Sequence, residues 1–131
     1  HLIRDLFIID KGYNSGISTG NYVISDTEII GRIKTVNSSS SEVVGVLNVD
    51  YGDEVLIDEK SYIVSGNNTG LIFIRQKDST EELNLIAGDI VKIKIGNHYI
   101  KIGNVEEIDN NFIIKTKLIT SYSTARVIID D

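Results

Sequence analysis

The chain is a succession of short runs of strand-forming residues, and each run ends in a cluster of turn-forming residues. The runs are rich in Ile, Val, Tyr and Phe, and the clusters between them include "SDTE", "NSSSSE" and "SGNNTG". This pattern is typical of an all-β sandwich or barrel. In "IVKIKI", Val91, Ile93 and Ile95 alternate with Lys92 and Lys94, which predicts a strand with one buried face and one solvated face.

The same pattern predicts about a dozen strands along the chain. They are Leu6 to Ile9, Tyr22 to Ser25, Ile29 to Val36, Glu42 to Val49, Glu54 to Ile57, Tyr62 to Ser65, Leu71 to Arg75, Leu83 to Ile86, Ile90 to Ile95, Tyr99 to Ile102, Phe112 to Leu118 and Ala125 to Ile129.

The absence of proline favours closed barrels over open sheets, because proline is one of the residues that protect exposed sheet edges. The segment "GNYVIS" followed by "IIGRI" is faintly echoed by "GDIVKI" followed by "IGNV". Two small barrels of related design would produce such an echo, and so would chance. Either reading keeps the chain in the all-β class.

Composition excludes several function classes. The net charge of -6 and the scattered Lys and Arg residues leave no basic stripe for a nucleic-acid backbone, so we expect no nucleic-acid partner. No apolar run approaches the roughly 20 residues that span a bilayer. The chain begins with His1 and lacks methionine, so we expect a piece of a longer protein whose membrane anchor lies upstream. The absence of cysteine excludes disulfides, thiolate metal sites and cysteine nucleophiles.

The glycines at positions 12, 16 and 20 do not form a phosphate-binding loop. Their spacing matches neither GxGxxG nor the P-loop, and no helix is predicted after them. We predict instead that Gly12, Gly16 and Gly20 adopt positive φ where strands reverse. His98 stands in the turn "GNHY" without a recognisable serine nucleophile nearby in the sequence, so it does not support a catalytic triad.

Acidic residues cluster in "DYGDEVLIDE", but without the residue order of a calcium loop. We predict that Asp50, Asp53 and Glu54 are solvated turn acids, and we assign no catalytic, cofactor-binding or metal-binding residue. Interaction with other proteins is then the default function. The six tyrosines include candidate contact residues, and an exposed strand edge could pair with a second copy or capture a partner segment.

The stretch "FIIDKGYNSGISTGNYVIS", followed after a short gap by "EIIGRIKTVNSSSSEVVGVLN", resembles the first β-region of the MreC family of bacterial rod shape-determining proteins. Later, "SGNNTGLI", "AGDIVKI", "KIGNVEEI" and "STARVIID" resemble further family motifs. One departure is the short "IGNHYIK", where the family usually carries Thr-Ser-Gly, a glycine-rich turn and Pro-Lys-Gly. The fold-signature residues are Asp10, Gly12, Gly16, Gly20, Val23, Gly31, Arg32, Gly70, Gly88, Asp89, Ile102, Gly103 and Val105, with Ser40 and Val43 beside the first region.

The resemblance implies two small six-stranded β-barrels, arranged distantly like chymotrypsin-like proteases but without their catalytic residues. The expected subdomains are approximately residues 1–49 with the C-terminal strands, and approximately residues 50–110. A transmembrane helix and a coiled coil precede the barrels in the family, and neither is present in this chain.

The resemblance also implies a non-enzymatic scaffold on the extracytoplasmic face of the cell membrane, which self-associates as a dimer or filament and organises cell-wall elongation. Its implied partners are a class B penicillin-binding protein, RodA, MreD and MreB. The alternatives are the β-barrel module of an exporter adaptor or another envelope-binding protein and, less well supported, a degenerate protease-like enzyme. We expect Leu71 and Phe73, beside the "SGNNTG" turn, to offer an apolar partner contact, with core packing as the competing reading.

Overall fold

Eleven β-strands and one short 3-10 helix make up the regular structure of the described residues. The structure is a computed structural model that describes residues 5–67, 70–77, 83–116 and 125–129. The strands are β1 (Leu6–Ile9), β2 (Tyr22–Ser25), β3 (Glu28–Val36), β4 (Ser41–Gly45), β5 (Gly52–Ile57), β6 (Lys60–Gly66), β7 (Ile72–Arg75), β8 (Ile90–Ile95), β9 (His98–Ile108), β10 (Asn111–Lys115) and β11 (Ala125–Ile128), and the helix is Tyr13–Ser15.

Most predicted strands are present, and four deviate by more than two residues. The predicted run Glu42 to Val49 ends as a strand at Gly45, because the chain turns there and the Asn48 amide donates to the Gly45 carbonyl. The prediction for Leu83 to Ile86 was wrong, because Leu83 and Leu85 pack against the core without joining a strand ladder. Strand β9 was predicted to end at Ile102 but continues to Ile108. Gly103 does not end the strand, because its lack of a side chain lets the neighbouring backbone approach. Strand β10 ends at Lys115, and positions 117 and 118 of the predicted run lie outside the described residues.

Six of the strands close into a barrel. Antiparallel pairing runs from β8 through β9, β10, β7, β6 and β5, and β5 returns to β8. This arrangement confirms the predicted all-β barrel class. Alternate residues of each strand fill the interior, as in β8, where Val91, Ile93 and Ile95 are buried while Lys94 is exposed. We refer to β5 to β10 as the second unit.

The remaining strands continue the same sheet and enclose a smaller core. Their order is β1, β4, β3, β2, β11, and a short parallel contact joins β3 to β9. We refer to these strands as the first unit. Its core cluster consists of Ile17, Val23, Ile30, Ile33 and Val43, each at most 5% exposed. No helix of the described ranges is long and apolar enough to cross a bilayer.

Candidate functional site

A buried carboxylate lies where the two units meet. Asp53 is in β5, and its side chain is only 9% exposed. Its Oδ2 accepts a hydrogen bond from the Tyr22 hydroxyl at 2.8 Å and one from the Tyr51 hydroxyl at 3.1 Å. The other oxygen, Oδ1, accepts from the Glu54 backbone amide at 2.9 Å. The prediction that Asp53 is a solvated turn acid was therefore wrong.

Arg32, in β3, completes this cluster from the first unit. Its Nη1 lies 3.6 Å from Asp53 Oδ2, and its guanidinium carbon is 4.5 Å from the centre of the Tyr22 ring. Its Nε donates to the Gly20 carbonyl at 3.1 Å. Arg32 thus stacks on an aromatic face, neutralises a buried charge and fixes a turn, a combination suited to a planar guanidinium. We name Tyr22, Arg32, Tyr51 and Asp53 the Asp53 clasp.

The Asp53 clasp holds both tyrosines in the neutral, proton-donating form. Burial, followed by the hydrogen bond to Asp53, raises the pKa of the Tyr22 hydroxyl well above its usual range. Burial, followed by the negative charge of Asp53, raises the pKa of Tyr51 in the same direction. Both hydroxyls therefore remain donors to the carboxylate at physiological pH. The two hydroxyls thereby hydrogen-bond β2 and the residue before β5 to the carboxylate of β5.

The clasp joins elements that are distant in the sequence. Tyr22 and Arg32 belong to β2 and β3 of the first unit, whereas Tyr51 and Asp53 belong to the segment that enters the second unit. A second polar contact links the units where β3 meets β9, since Lys101 Nζ lies 3.3 Å from Glu28 Oε1. The units are thus connected by these polar contacts and by the larger hydrophobic core, which includes Ile24 and Ile29 of the first unit.

The first group of signature glycines shapes the turns, although not all in the predicted way. Gly16 and Gly20 have φ of 81° and 93°, as predicted. Gly12 has an extended backbone with φ of -140°, so the prediction of positive φ was wrong there. Glycine suits that position for another reason, because a Cβ would collide with the Asn37 carbonyl oxygen. Asp10 is exposed, and Val23 is fully buried in the first unit.

Two further signature residues lie where backbones meet closely. A Cβ on Gly31 would crowd the Val44 carbonyl oxygen, and one on Gly103 would crowd that of Lys115. These close approaches lie between β3 and β4 and between β9 and β10. Both positions therefore exclude any side chain.

The remaining signature residues of the second region surround the entry to β8. The Gly88 amide donates to the Val105 carbonyl at 2.8 Å, and the Val105 amide donates to the Asp89 carbonyl at 2.8 Å. Ile102 and Val105 are buried in the larger core. Gly70 has φ of 81° in the turn before β7. The structure thus brings Gly88, Asp89 and Val105 together.

Leu71 and Phe73 are both half-buried, and neither is a member of the two hydrophobic core clusters. Phe73 alternates along β7 with the fully buried Ile72 and Ile74 and therefore points away from the barrel interior. His98 is exposed at the start of β9. In the described part of the chain, no group of three or more His, Asp or Glu residues could hold a metal ion.

The sequence contained one signal for the clasp that the strand prediction missed. Tyr51, Asp53, Val55 and Ile57 occur at alternate positions, and the first, third and fourth are buried. A run taken from Tyr51 rather than from Glu54 would have placed Asp53 on the buried face. No local pattern indicated which residues contact Asp53, because Tyr22 lies 31 positions before Asp53 in the sequence.

Comparisons with known proteins point to one family. The model described as rod shape-determining protein MreC, barrel core, matches residues 2–129. Among solved structures, MreC of Listeria monocytogenes is 21% identical with a TM-score of 0.68, and the match covers 87% of this chain and 62% of that chain. MreC of Pseudomonas aeruginosa is 18% identical with a TM-score of 0.65, and the match covers 86% of this chain and 81% of that chain.

A third structure is described as the major periplasmic domain from the cell shape-determining filament MreC. It is 19% identical with a TM-score of 0.69, and the match covers 94% of this chain and 85% of that chain. At these identities the structural likeness shows the fold alone. The chain spans less than two thirds of the Listeria protein's length. No curated protein matches the sequence.

Proposed function

The chain belongs to the MreC family of rod shape-determining proteins, and on this premise we propose that it is the extracytoplasmic part of a scaffold that self-associates and organises the cell-wall elongation machinery. The family is one of structural cell-shape proteins and not a known enzyme family. The observation that carries the proposal is the family match, which extends from residue 2 to residue 129 and so includes both units.

The proposed location is the outer face of the bacterial cell membrane, where the protein is held by a segment outside this chain. The proposed partners are a second copy of the protein, a class B penicillin-binding protein, RodA, MreD and, across the membrane, MreB. A scaffold of this kind needs no single strong contact. Anchoring and self-association raise the effective concentration of each partner, so weak contacts suffice.

The surface of both units carries exposed apolar side chains that suit weak contacts. On β1, Leu6 is 44% exposed and Ile8 is 71% exposed, and on the β8–β9 hairpin Ile90 and Tyr99 are more than half exposed. Exposed apolar and aromatic side chains of this kind are suited to contact with other proteins. These side chains support an interaction role without identifying which partner each one meets.

We assign one partner contact to Leu71 and Phe73 on the second unit. Both side chains lie outside the core clusters, and Phe73 points outward from β7. Aspartate at both positions should therefore leave the fold intact while removing apolar contact area. The circular-dichroism spectrum of Leu71→Asp/Phe73→Asp should match that of the unchanged chain, and loss of the folded spectrum would show that these residues are core.

The scaffold function is tested by crosslinking in the native bacterium. Full-length protein tagged at its extracytoplasmic end is crosslinked and purified, and the retained proteins are identified by mass spectrometry. We expect a penicillin-binding protein and RodA, with reduced recovery for the Leu71→Asp/Phe73→Asp variant. The matched control is Val49→Asp/Ile86→Asp, since these residues are 47% and 70% exposed and are assigned no partner contact. Recovery of a transporter and export components without wall enzymes would refute the scaffold and favour an exporter adaptor.

A further inference from the structure

In the described part of the chain, a gap separates the two outer strands of the first unit. Among the described strands, β1 pairs with β4 alone and β11 pairs with β2 alone. Because four antiparallel pairings connect β1 to β11 through β4, β3 and β2, the two outer strands run parallel to each other. A strand placed between them would therefore run antiparallel to both. We name this gap the seam.

The seam leaves the core of the first unit incompletely covered. A cavity of about 290 Å³ opens at this place, and its walls come from Ile8 to Lys11 on one side and from Ala125 to Val127 on the other. Five apolar residues are only partly buried against this core, and four of them, Phe7, Ile9, Ala125 and Val127, lie on the two strands that border the seam. Further apolar side chains inserted between these strands would complete the burial.

The charges beside the seam favour an acidic occupant. Lys11 and Arg126 line the cavity from opposite strands and are exposed, and no ion pair joins either side chain to another described residue. Asp10 is the acidic residue of the lining, so cations outnumber acids at this place. That balance is the reverse of the whole chain, whose net charge is -6. An acidic segment therefore complements the charges beside the seam.

We propose that the seam is a binding site for an extended, acidic segment of a partner protein, which enters as a strand antiparallel to both β1 and β11. Both bordering strands are four residues long, so the bound segment is short. Its alternate apolar side chains cover Phe7, Ile9, Ala125 and Val127, and its carboxylates face Lys11 and Arg126. Backbone hydrogen bonds supply affinity, and the charges and the inward side chains supply specificity. The inference rests on the proposed scaffold function, because it names a surface through which a scaffold would hold a partner.

Titration of a synthetic peptide onto the 131-residue chain tests the seam. The probe is a short fluorescein-labelled peptide in which valine alternates with glutamate, and binding is followed by fluorescence anisotropy. We expect saturable binding, slower hydrogen exchange at the amides of both β1 and β11, and loss of binding when the peptide amides are N-methylated. Replacing glutamate by lysine in the peptide should weaken binding.

Arg126→Glu places an acid where the peptide carries acids, so it should weaken binding about five-fold, which is the upper range for a cross-strand charge pair. It should restore binding of the lysine peptide. The matched control is Lys94→Glu, the same charge change at another exposed strand position in the second unit, and it should have no effect.

Three results would overturn the proposal. The first is the absence of saturable binding. The second is binding that changes neither with N-methylation of the peptide nor with Arg126→Glu. The third is slow hydrogen exchange of the β1 and β11 amides before peptide is added, because that would show that the chain closes its own seam or pairs with a second copy. The titration uses no cellular partner, so its failure is separate from failure of the scaffold function in the crosslinking experiment.

Discussion

Replacing Asp53 by alanine should cost about 2–4 kcal/mol of the free energy of unfolding. The largest part comes from Tyr51, which is 3% exposed and would keep a buried hydroxyl without its acceptor, at about 1–3 kcal/mol. Tyr22 is half-buried, so water can replace part of its bond, and its loss should cost about 1 kcal/mol. Arg32 adds little, since its side chain is 37% exposed and lies 3.6 Å from the carboxylate.

Urea unfolding at neutral pH, followed by circular dichroism, measures this difference. The matched control is Glu54→Ala, which removes the neighbouring acid from an exposed ion pair with Lys77 and should cost less than about 1 kcal/mol. Asp53→Asn keeps an acceptor oxygen but loses the charge, so its stability should lie between those of the unchanged chain and Asp53→Ala. In the Asp53→Ala background, Tyr51→Phe should add little, because the two residues act as one unit.

The reasoning fails if Asp53→Ala and Glu54→Ala unfold at the same urea concentration. It also fails if the cost of Tyr51→Phe is the same with and without Asp53, because that additivity would mean that the hydroxyl and the carboxylate do not interact. If Asp53→Ala lowered the free energy of unfolding by no more than the loss of an exposed ion pair does, Asp53 would be a solvated turn acid.

Two further predictions concern the glycines and the tyrosines. Gly103→Ala should cost about 1–3 kcal/mol in urea unfolding, since its Cβ would crowd the neighbouring backbone, whereas Gly52→Ala, which has only ordinary contacts, should change stability by less than about 1 kcal/mol. Because folding raises the pKa of Tyr22 and Tyr51 above their ordinary value of 10.0, the stability tied to their protonation is complete below pH 10 and is lost as pH rises further. A urea series at rising alkaline pH should show this loss, and the Tyr22→Phe/Tyr51→Phe variant should show a smaller one.

The sequence predicted the fold better than it predicted the site. Period-two alternation is a local signal, so the strand around Val91 could be delimited from its own residues. The clasp depends on a contact between Tyr22 and Asp53 across 31 positions, which no local pattern specifies. Gly12 was recognised as a required glycine but for the wrong reason, because its neighbour Asn37 comes from a distant strand end. The local sequence thus predicted that a glycine such as Gly12 is required. The neighbouring atoms that require it are set by tertiary contacts, which the local sequence does not specify.

The polar contacts between the units add a constraint that the apolar core shared by the two units does not supply. Apolar packing tolerates many small shifts, whereas the hydrogen bonds of Asp53 require particular positions of the Tyr22 and Tyr51 hydroxyls. Replacing such a buried polar cluster by apolar residues is often neutral or stabilising, so stability alone does not explain it. We infer that the clasp fixes the orientation of one unit against the other. The surface beside Phe73 on the second unit and the seam on the first unit would then face partners at a constant angle, as a scaffold requires.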